Sequence, residues 1–429
     1  MHFSQSFLTY YRTCFSTEWE FRDFLASLEK NLPRTLRVHP WADAWVRERL
    51  GKLWWKLEPT SLPHVFSIAH SDTFDPFERR IGFSLDHLVG NFYIQELAAA
   101  TAVSVLSEGR VSRDHFQILD VAASPGWKTT QLAEYYPESF IIANEPSRTR
   151  IPQLLQNLDR MGSANIGVTL YMGQYFGNFP ETFDRILLDA PCSGDGTMYK
   201  GTESWKYWHL KNIRAIANLQ KRLIESAYRA LKVGWEMVYS TCAMNEYEDE
   251  NVRDHVQTFS WESIEILYEK KFWPHHDNTG GFYILKLRKT RSFGVNDTAR
   301  KYVTNTLLEP FHGNIAPWKL RPWYVLYRHR EKILVVHASV PVDLLERYYF
   351  MRLGDILGTF HSGKLTPYVW AYRYLDMDDV SRVSLTTEHE LDIYLRWAMI
   401  PSVWKDEYVL LEHTWVPFAL EKRQSNMLS

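Results

Sequence analysis

The stretch Ile118-Leu119-Asp120-Val121-Ala122-Ala123-Ser124-Pro125-Gly126-Trp127-Lys128-Thr129-Thr130-Gln131-Leu132-Ala133 decides the fold. An apolar run ends in a loop of small residues that leads straight into a helix start. Such a turn brings backbone amides and a helix N-terminus against a polar or anionic ligand, as α/β sheets do when they hold nucleotide-like cofactors. The G-x-x-x-x-G-K spacing of a Walker loop is absent. A second apolar run, about twenty residues on, ends in Ala143-Asn144-Glu145, which sets an acid where a ribose diol would lie. Small residues without a phosphate-gripping glycine triplet fit an adenosyl ligand that carries no phosphate, S-adenosylmethionine.

Outward from this stretch, short apolar runs recur at 117–121, 140–143, 166–171, 185–188, 236–240 and 282–287, separated by helix-length segments. Strands alternating with helices predict a parallel sheet with crossover helices. Over 212–231 the helical period is clear, with Ile213, Ile216, Leu223, Ala227 and Leu231 on one side, and Gly234 reads as the helix stop. Residues 1–80 read as an accessory lobe, with a helical pattern at Trp19, Phe21, Phe24, Leu25 and Leu28. The catalytic domain is expected over 81–292, a connecting region over 293–350 and a small β-rich domain over 351–429, with a turn at His361-Ser362-Gly363-Lys364.

The chain of 429 residues, 45% hydrophobic, can bury a full core and is expected to be a soluble globular protein. No basic-then-apolar leader opens it, and its longest apolar run is too short to cross a bilayer. Three cysteines argue against a disulfide framework and for a reducing compartment, so a cytoplasmic location is expected, with a monomer as the default state. The histidines His64, His70 and His209 show no metal-ligand spacing, and no metal is expected. A net charge of −2 gives no global signature of nucleic-acid binding, yet 200–232 carries eight basic residues against Glu203 and Glu225, and Lys286-Leu287-Arg288-Lys289-Thr290-Arg291 forms a second cluster.

Two of the three cysteines follow strand-like runs, in Ala190-Pro191-Cys192-Ser193-Gly194 and Tyr239-Ser240-Thr241-Cys242. Both thiols are therefore expected at strand ends, where an α/β enzyme keeps its chemistry, facing one site. Together with the cofactor loop and Leu88-Val89-Gly90-Asn91-Phe92-Tyr93-Ile94-Gln95-Glu96, these motifs resemble the Sun family of RNA cytosine-5 methyltransferases, most closely its bacterial members acting on small-subunit ribosomal RNA. The resemblance covers 82–291 and, more faintly, the C-terminal segment.

It implies a Rossmann-like class I methyltransferase sheet, with Cys242 as nucleophile, Cys192 assisting product release and Asp189 hydrogen-bonding the target base. It implies further that Ala122, Ala123, Ser124, Pro125, Gly126, Trp127 and Lys128 surround the methionine part of S-adenosylmethionine and that Glu145 holds its ribose. The basic helix and the 286–291 cluster would contact RNA phosphates, and residues 351–429 resemble the pseudouridine-synthase-and-archaeosine-transglycosylase (PUA) type of RNA-binding module. Structured RNA, preferentially ribosomal with transfer RNA as the alternative, is the implied partner. A DNA cytosine methyltransferase would use the Pro-Cys cysteine as nucleophile and lack the Thr-Cys partner, and an inactive RNA-binding assembly factor would have no need of Asp189, Cys192 and Cys242.

Four positions depart from the family pattern. Met172, in Tyr171-Met172-Gly173-Gln174, replaces an aspartate that contacts the cofactor's adenine, a loss of about 0.5–1.5 kcal/mol of hydrogen bonding. Trp127, Trp235 and Trp415 stand where glycine or serine is natural, in a chain with 17 tryptophans beside only 20 glycines. The pattern suggests glycine codons translated as tryptophan, with Trp127 expected either to block the pocket or to point into solvent.

Overall fold

The computed structural model describes residues 3–70, 81–200, 208–260, 263–292, 308–386, 390–391, 394, 407–413, 416–424 and 427–428. Its centre is an eight-stranded sheet: β1 (Gln117–Asp120), β2 (Phe140–Asn144), β3 (Ile166–Thr169), β4 (Phe183–Asp189), β5 (Leu231–Thr241), β6 (Ile264–Phe272), β7 (Phe282–Lys289) and β8 (Arg352–Leu353). The spatial order is β6-β7-β5-β4-β1-β2-β3-β8. The five strands from β5 to β3 are parallel, and β7, β6 and β8 join antiparallel. Strand order reverses between β1 and β4, so the crevice at their carboxyl ends is the expected ligand site.

The central strands are apolar without interruption because both faces are covered. Leu119, Ile142, Leu188 and Met237 face one layer, with Leu223, Ile224 and Ala227 of helix α4 (Leu210–Ala230). Ile118, Ile141, Leu187 and Val238 face the other, under α1 (Leu97–Ser107), α2 (Trp127–Tyr135) and α3 (Ile151–Met161). Each step along a strand reverses the face, and neighbouring residues fall into opposite cores.

Several details differ from the sequence reading. Gly234 is no helix stop: α4 gives way at once to β5, and Gly234, at φ +84°, lies in the irregular start of that strand. The edge strand β6, Ile-Glu-Ile-Leu-Tyr-Glu-Lys-Lys-Phe, went unread because its charges mask the apolar alternation. Within helix Glu18–Ser27, Phe21 and Phe24 are buried but Trp19 is 76% exposed.

The N-terminal residues build an antiparallel sheet, Trp55–Pro59, Val65–His70, Thr35–Val38 and Phe92–Ile94, whose last strand lies beyond residue 80. The stretch 293–350, read as a connecting region, carries strands Glu309–Pro310, Tyr324–His329 and Lys332–His337. These pair in one sheet with Asp355–His361 and Lys364–Pro367. The turn between the last two strands is the anticipated one, with Ser362 and Gly363 both at positive φ, as a two-residue hairpin of the mirror-image type requires. A further sheet, Arg382–Leu385, Tyr408–His413, Val416–Gln424 and Met427–Leu428, completes the C-terminal region.

Candidate active site

The loop after β1 is held from three directions. Ala123 N–H donates to the Asn144 carbonyl at 2.8 Å and Gly126 N–H to the Ala123 carbonyl at 2.7 Å. Gly126, at φ +104°, stands before the first residue of α2, and a Cβ there would press Leu154 at 3.1 Å, so this turn needs glycine. The Asn144 side chain ties the ends of β1, β2 and β3 together. Its Nδ2 donates to the Val121 and Tyr171 carbonyls (3.0 and 2.9 Å), while its Oδ1 accepts from Tyr171 N–H (2.9 Å).

Glu145 follows, and it is buried. Its Oε1 accepts from Ser147 N–H at 2.8 Å, whereas Oε2, 3.4 Å from Arg150 Nη1, has no hydrogen-bond partner. A buried acceptor left open beside a small-residue loop fits a ribose diol, since such an atom otherwise forfeits its hydration. Met172, on the loop after β3, is 63% exposed. Trp127 neither stands free in solvent nor is isolated: it is half-buried against the α1–α2 core, with the Lys128 ammonium 4.4 Å from its ring centre. Trp235 packs half-buried under the Arg185 guanidinium, 4.7 Å from its ring, and Trp415 lies outside the described residues.

Next to the loop, β4 and β5 run parallel with Asp189 opposite Ser240, and Ala190 N–H donates to the Ser240 carbonyl at 2.8 Å. This register brings both cysteine loops to one place. The Cys192 and Cys242 sulfurs are in contact at 2.6 Å as free thiols. Asp189 is fixed on both oxygens, by Ser240 Oγ (2.8 Å) and by the buried Lys128 Nζ (2.7 Å). The hydrogen bond with Cys242, and then burial, hold the Cys192 thiol well above its ordinary range. Burial likewise pushes Asp120, at the end of β1, up to about 7 against the Thr129 hydroxyl that donates to it at 2.7 Å.

Of the residues singled out in the sequence, the structure brings Cys192 to Cys242 and Asp189 to Lys128 of the 122–128 loop, and it sets Glu145 beside that loop through Asn144 and Arg150. Sequence reasoning assigned Lys128 to the cofactor loop and missed its pairing with Asp189, which links the two halves of the site. It missed Asn144 as a staple, although that residue stands in the quoted Ala143-Asn144-Glu145. The 286–291 cluster does not offer free cations. Lys286 binds Glu236 at 2.8 Å, Arg288 binds Glu236 and Glu265, and the buried Lys289 donates to the Leu231 carbonyl at 2.9 Å, because β7 is an interior strand. The basic helix does face solvent, with Lys211, Arg214 and Arg222 exposed, and Lys206 lies outside the described residues. Away from the site, Glu20, His275 and His276 bring three potential metal-ligand atoms within 4.8 Å of one another, a grouping their spacing did not signal. No described helix is long and apolar enough to cross a membrane.

A parallel sheet with this strand order, a small-residue loop after its first strand and an open buried acid after its second define a Rossmann-like methyltransferase. Residues 111–288 match the family model described as 16S rRNA methyltransferase RsmB/F. Ribosomal RNA small subunit methyltransferase F of Vibrio cholerae is 36% identical over 412 residues, spanning 88% of this chain and 84% of that one. The protein of the same name from Shigella dysenteriae is 30% identical over 470 residues, 100% of this chain and 95% of its own. The chain belongs to this RsmB/F branch of the Sun family, and its cofactor is S-adenosylmethionine. Among solved structures, a methyltransferase homologue from Pyrococcus horikoshii superposes with a TM-score of 0.55 at 25% identity, covering 67% of this chain and 99% of that one. NSun6 from the same organism, solved with SFG, shares the fold at a TM-score of 0.59 and 22% identity, over 68% and 99% of the two chains.

Proposed function

We propose that the protein methylates carbon 5 of a cytosine in RNA, in the small-subunit ribosomal RNA, through a covalent adduct between Cys242 and carbon 6 of the base. The observation that carries this reading is the contact of two thiols beside an oriented carboxylate. The resemblance assigns the nucleophile to Cys242 of the Thr-Cys motif and the release step to Cys192, whose thiol the contact with Cys242 and burial hold up.

Carbon 5 of cytosine is a weak nucleophile. When Cys242 sulfur bonds to carbon 6 it gives up its thiol proton, the carbon 5–carbon 6 electron pair shifts toward carbon 5, and the ring nitrogen opposite takes up a proton in exchange through solvent. Asp189, set by Lys128 and Ser240, is positioned to stabilise that protonated ring by hydrogen bonding. The 122–128 loop and Glu145 would hold S-adenosylmethionine, which would supply an electrophilic methyl group to carbon 5 and leave as S-adenosylhomocysteine. Solvent water then takes the carbon 5 proton, its electron pair re-forms the carbon 5–carbon 6 double bond as the carbon–sulfur bond breaks, the ring nitrogen returns its proton to solvent, and the Cys192 thiol stabilises the departing Cys242 thiolate by donating a hydrogen bond. Splitting one hard substitution into addition, transfer and elimination is the gain that covalent catalysis provides.

The exposed Lys211, Arg214 and Arg222 of α4 would contact phosphates, and the N-terminal lobe and the PUA-like segment 351–429 would position the RNA, with the protein acting as a cytoplasmic monomer. The names of the Vibrio and Shigella relatives support the small ribosomal subunit as substrate. The test is transfer of labelled methyl from S-adenosylmethionine to unmodified small subunits, followed by digestion to nucleosides. Label in 5-methylcytosine is expected from wild type and none from Cys242→Ala. Label at another position of the base, or full activity in Cys242→Ala, would overturn the proposal.

A further inference from the structure

Behind the two cysteines lie groups that the reaction as derived does not use. Glu248 is fully buried, and its carboxylate is hydrogen-bonded to the backbone and amides around the Cys192 loop while its charge adds to what holds the Cys192 thiol up. Its Oε2 accepts from Ser193 N–H and from Gln220 Nε2, both at 2.9 Å, and its Oε1 accepts from Asn245 Nδ2 at 2.7 Å. Gln220 Nε2 also donates to the Pro191 carbonyl at 2.9 Å. Both peptide groups flanking Cys192 are thus tied to one carboxylate, directly on one side and through Gln220 on the other.

The tie continues to the second cysteine loop. Asn245 Nδ2 donates also to Asp195 Oδ2 at 3.0 Å, and Asp195 Oδ1 accepts from Met244 N–H at 2.8 Å. Gly196 N–H in turn donates to the Cys242 carbonyl at 3.0 Å. Glu248, Asn245 and Asp195 therefore bolt the loop of Cys192 to the loop of Cys242. Every described donor to the Glu248 carboxylate is a neutral amide, an expensive way to bury a carboxylate, which burial and then the Asp195 charge push toward its protonated form. What a carboxylate offers in return is three accepted hydrogen bonds from two oxygens at fixed angles, which an amide of the same length does not provide.

We propose that Glu248 is a positioning residue for product release: by fixing the Pro191 carbonyl and the Ser193 amide it keeps Cys192 in contact with Cys242. This rests on the reading of Cys192 as the release group. Adduct formation needs Cys242 and the oriented Asp189, neither of which Glu248 touches, whereas elimination needs the thiol that Glu248 holds in place. Removing Glu248 should therefore slow release more than addition.

The experiment uses the full-length protein with unmodified small subunits and reads both labelled-methyl turnover and the protein–RNA adduct that survives denaturant. Glu248→Ala is expected to raise the adduct about tenfold over wild type, as Cys192→Ala should, with the apparent KM for S-adenosylmethionine within roughly twofold. Glu248→Gln retains one oxygen for Ser193 and Gln220 and should fall between wild type and Glu248→Ala. Gln220→Met, which cuts only the tie to the Pro191 carbonyl and one donor to Glu248, should accumulate adduct to a smaller extent and serves if Glu248→Ala does not fold. A merely structural loss would lower adduct and turnover together, and that result overturns the proposal. So does unchanged turnover in the Glu248 variants while Cys192→Ala accumulates adduct. If wild type transfers no methyl and Cys192→Ala forms no adduct, the reaction itself is wrong and this role falls with it.

Discussion

Replacing Arg37 with methionine is the most informative test of how the N-terminal lobe supports the cofactor loop. Arg37 comes from strand Thr35–Val38, and its side chain is buried against α2. Nε and Nη2 donate to the two oxygens of Glu134 at 2.8 and 2.9 Å, Nη2 to Thr130 Oγ1 at 3.0 Å and Nη1 to the Trp127 carbonyl at 2.9 Å, with Gln95 as a further partner. Both members of the ion pair are at least 95% buried at the side chain. Methionine fills most of the volume but leaves Glu134 as an unpaired buried carboxylate, a change that costs about 3–5 kcal/mol. At about 1–2 °C per kcal/mol for a chain of this length, this lowers the melting temperature by roughly 3–10 °C.

The loss must also depend on pH. Burial already holds the Glu134 carboxyl above its ordinary range, with Arg37 opposing it. Without Arg37 the folded-state pKa rises further above the unfolded one. The native state then binds the extra proton, and stability falls as pH climbs through that interval. The deficit of Arg37→Met relative to wild type should accordingly be larger at pH 8 than at pH 5, and Arg37→Met/Glu134→Leu should recover part of it. Differential scanning calorimetry at the two pH values reads both quantities. A deficit below about 1 kcal/mol, or one that does not change with pH, would refute the argument.

Three further outcomes are expected. Trp54 follows the C-cap of helix Asp43–Lys52 in the left-handed region, at φ +67°, and is 59% exposed. That is the place of a helix-terminating glycine, so Trp54→Gly should stabilise by about 1–2 kcal/mol in urea unfolding, and peptide mass spectrometry of the protein from its source should find glycine at 127 and 235 if a codon is misread. Tryptophan at both positions would end that idea. Asp120 holds its proton up to about pH 7 in the fold, so its contribution falls as pH rises from the ordinary aspartate range to 7. Asp120→Asn should gain on wild type between pH 5 and pH 8 in unfolding midpoint, and an unchanged difference would refute the burial argument.

The sheet was legible because its central strands are buried on both faces and read as unbroken apolar runs, as at Phe140 to Asn144. Strand β6 was not, because an edge strand shows solvent one face and carries Glu265, Glu269, Lys270 and Lys271. The cysteine pair was legible from two motifs fifty positions apart, since parallel neighbours in register bring equivalent strand ends together. The polar network behind it was not. Glu248, Asn245 and Asp195 look like surface residues in a charged stretch, and only the fold shows that their donors are buried amides. The 286–291 cluster failed in the opposite sense: its charges point along an interior strand to carboxylates and carbonyls, which local charge counting does not register.

Strand β8 carries a consequence for synthesis. It covers β3, which would otherwise end the sheet, by pairing Arg352 with Val168 and Leu353 with Gly167. Until residue 353 leaves the ribosome, the outer edge of β3 keeps its backbone donors and acceptors open, a template for pairing with another nascent chain. Translation of residues 170–351 takes about 10–40 s at ~5–20 residues per second. During that interval the catalytic half can close around its core while its flank stays adhesive, so truncation before 352 is expected to leave an aggregating product even though every strand from β1 to β7 is present.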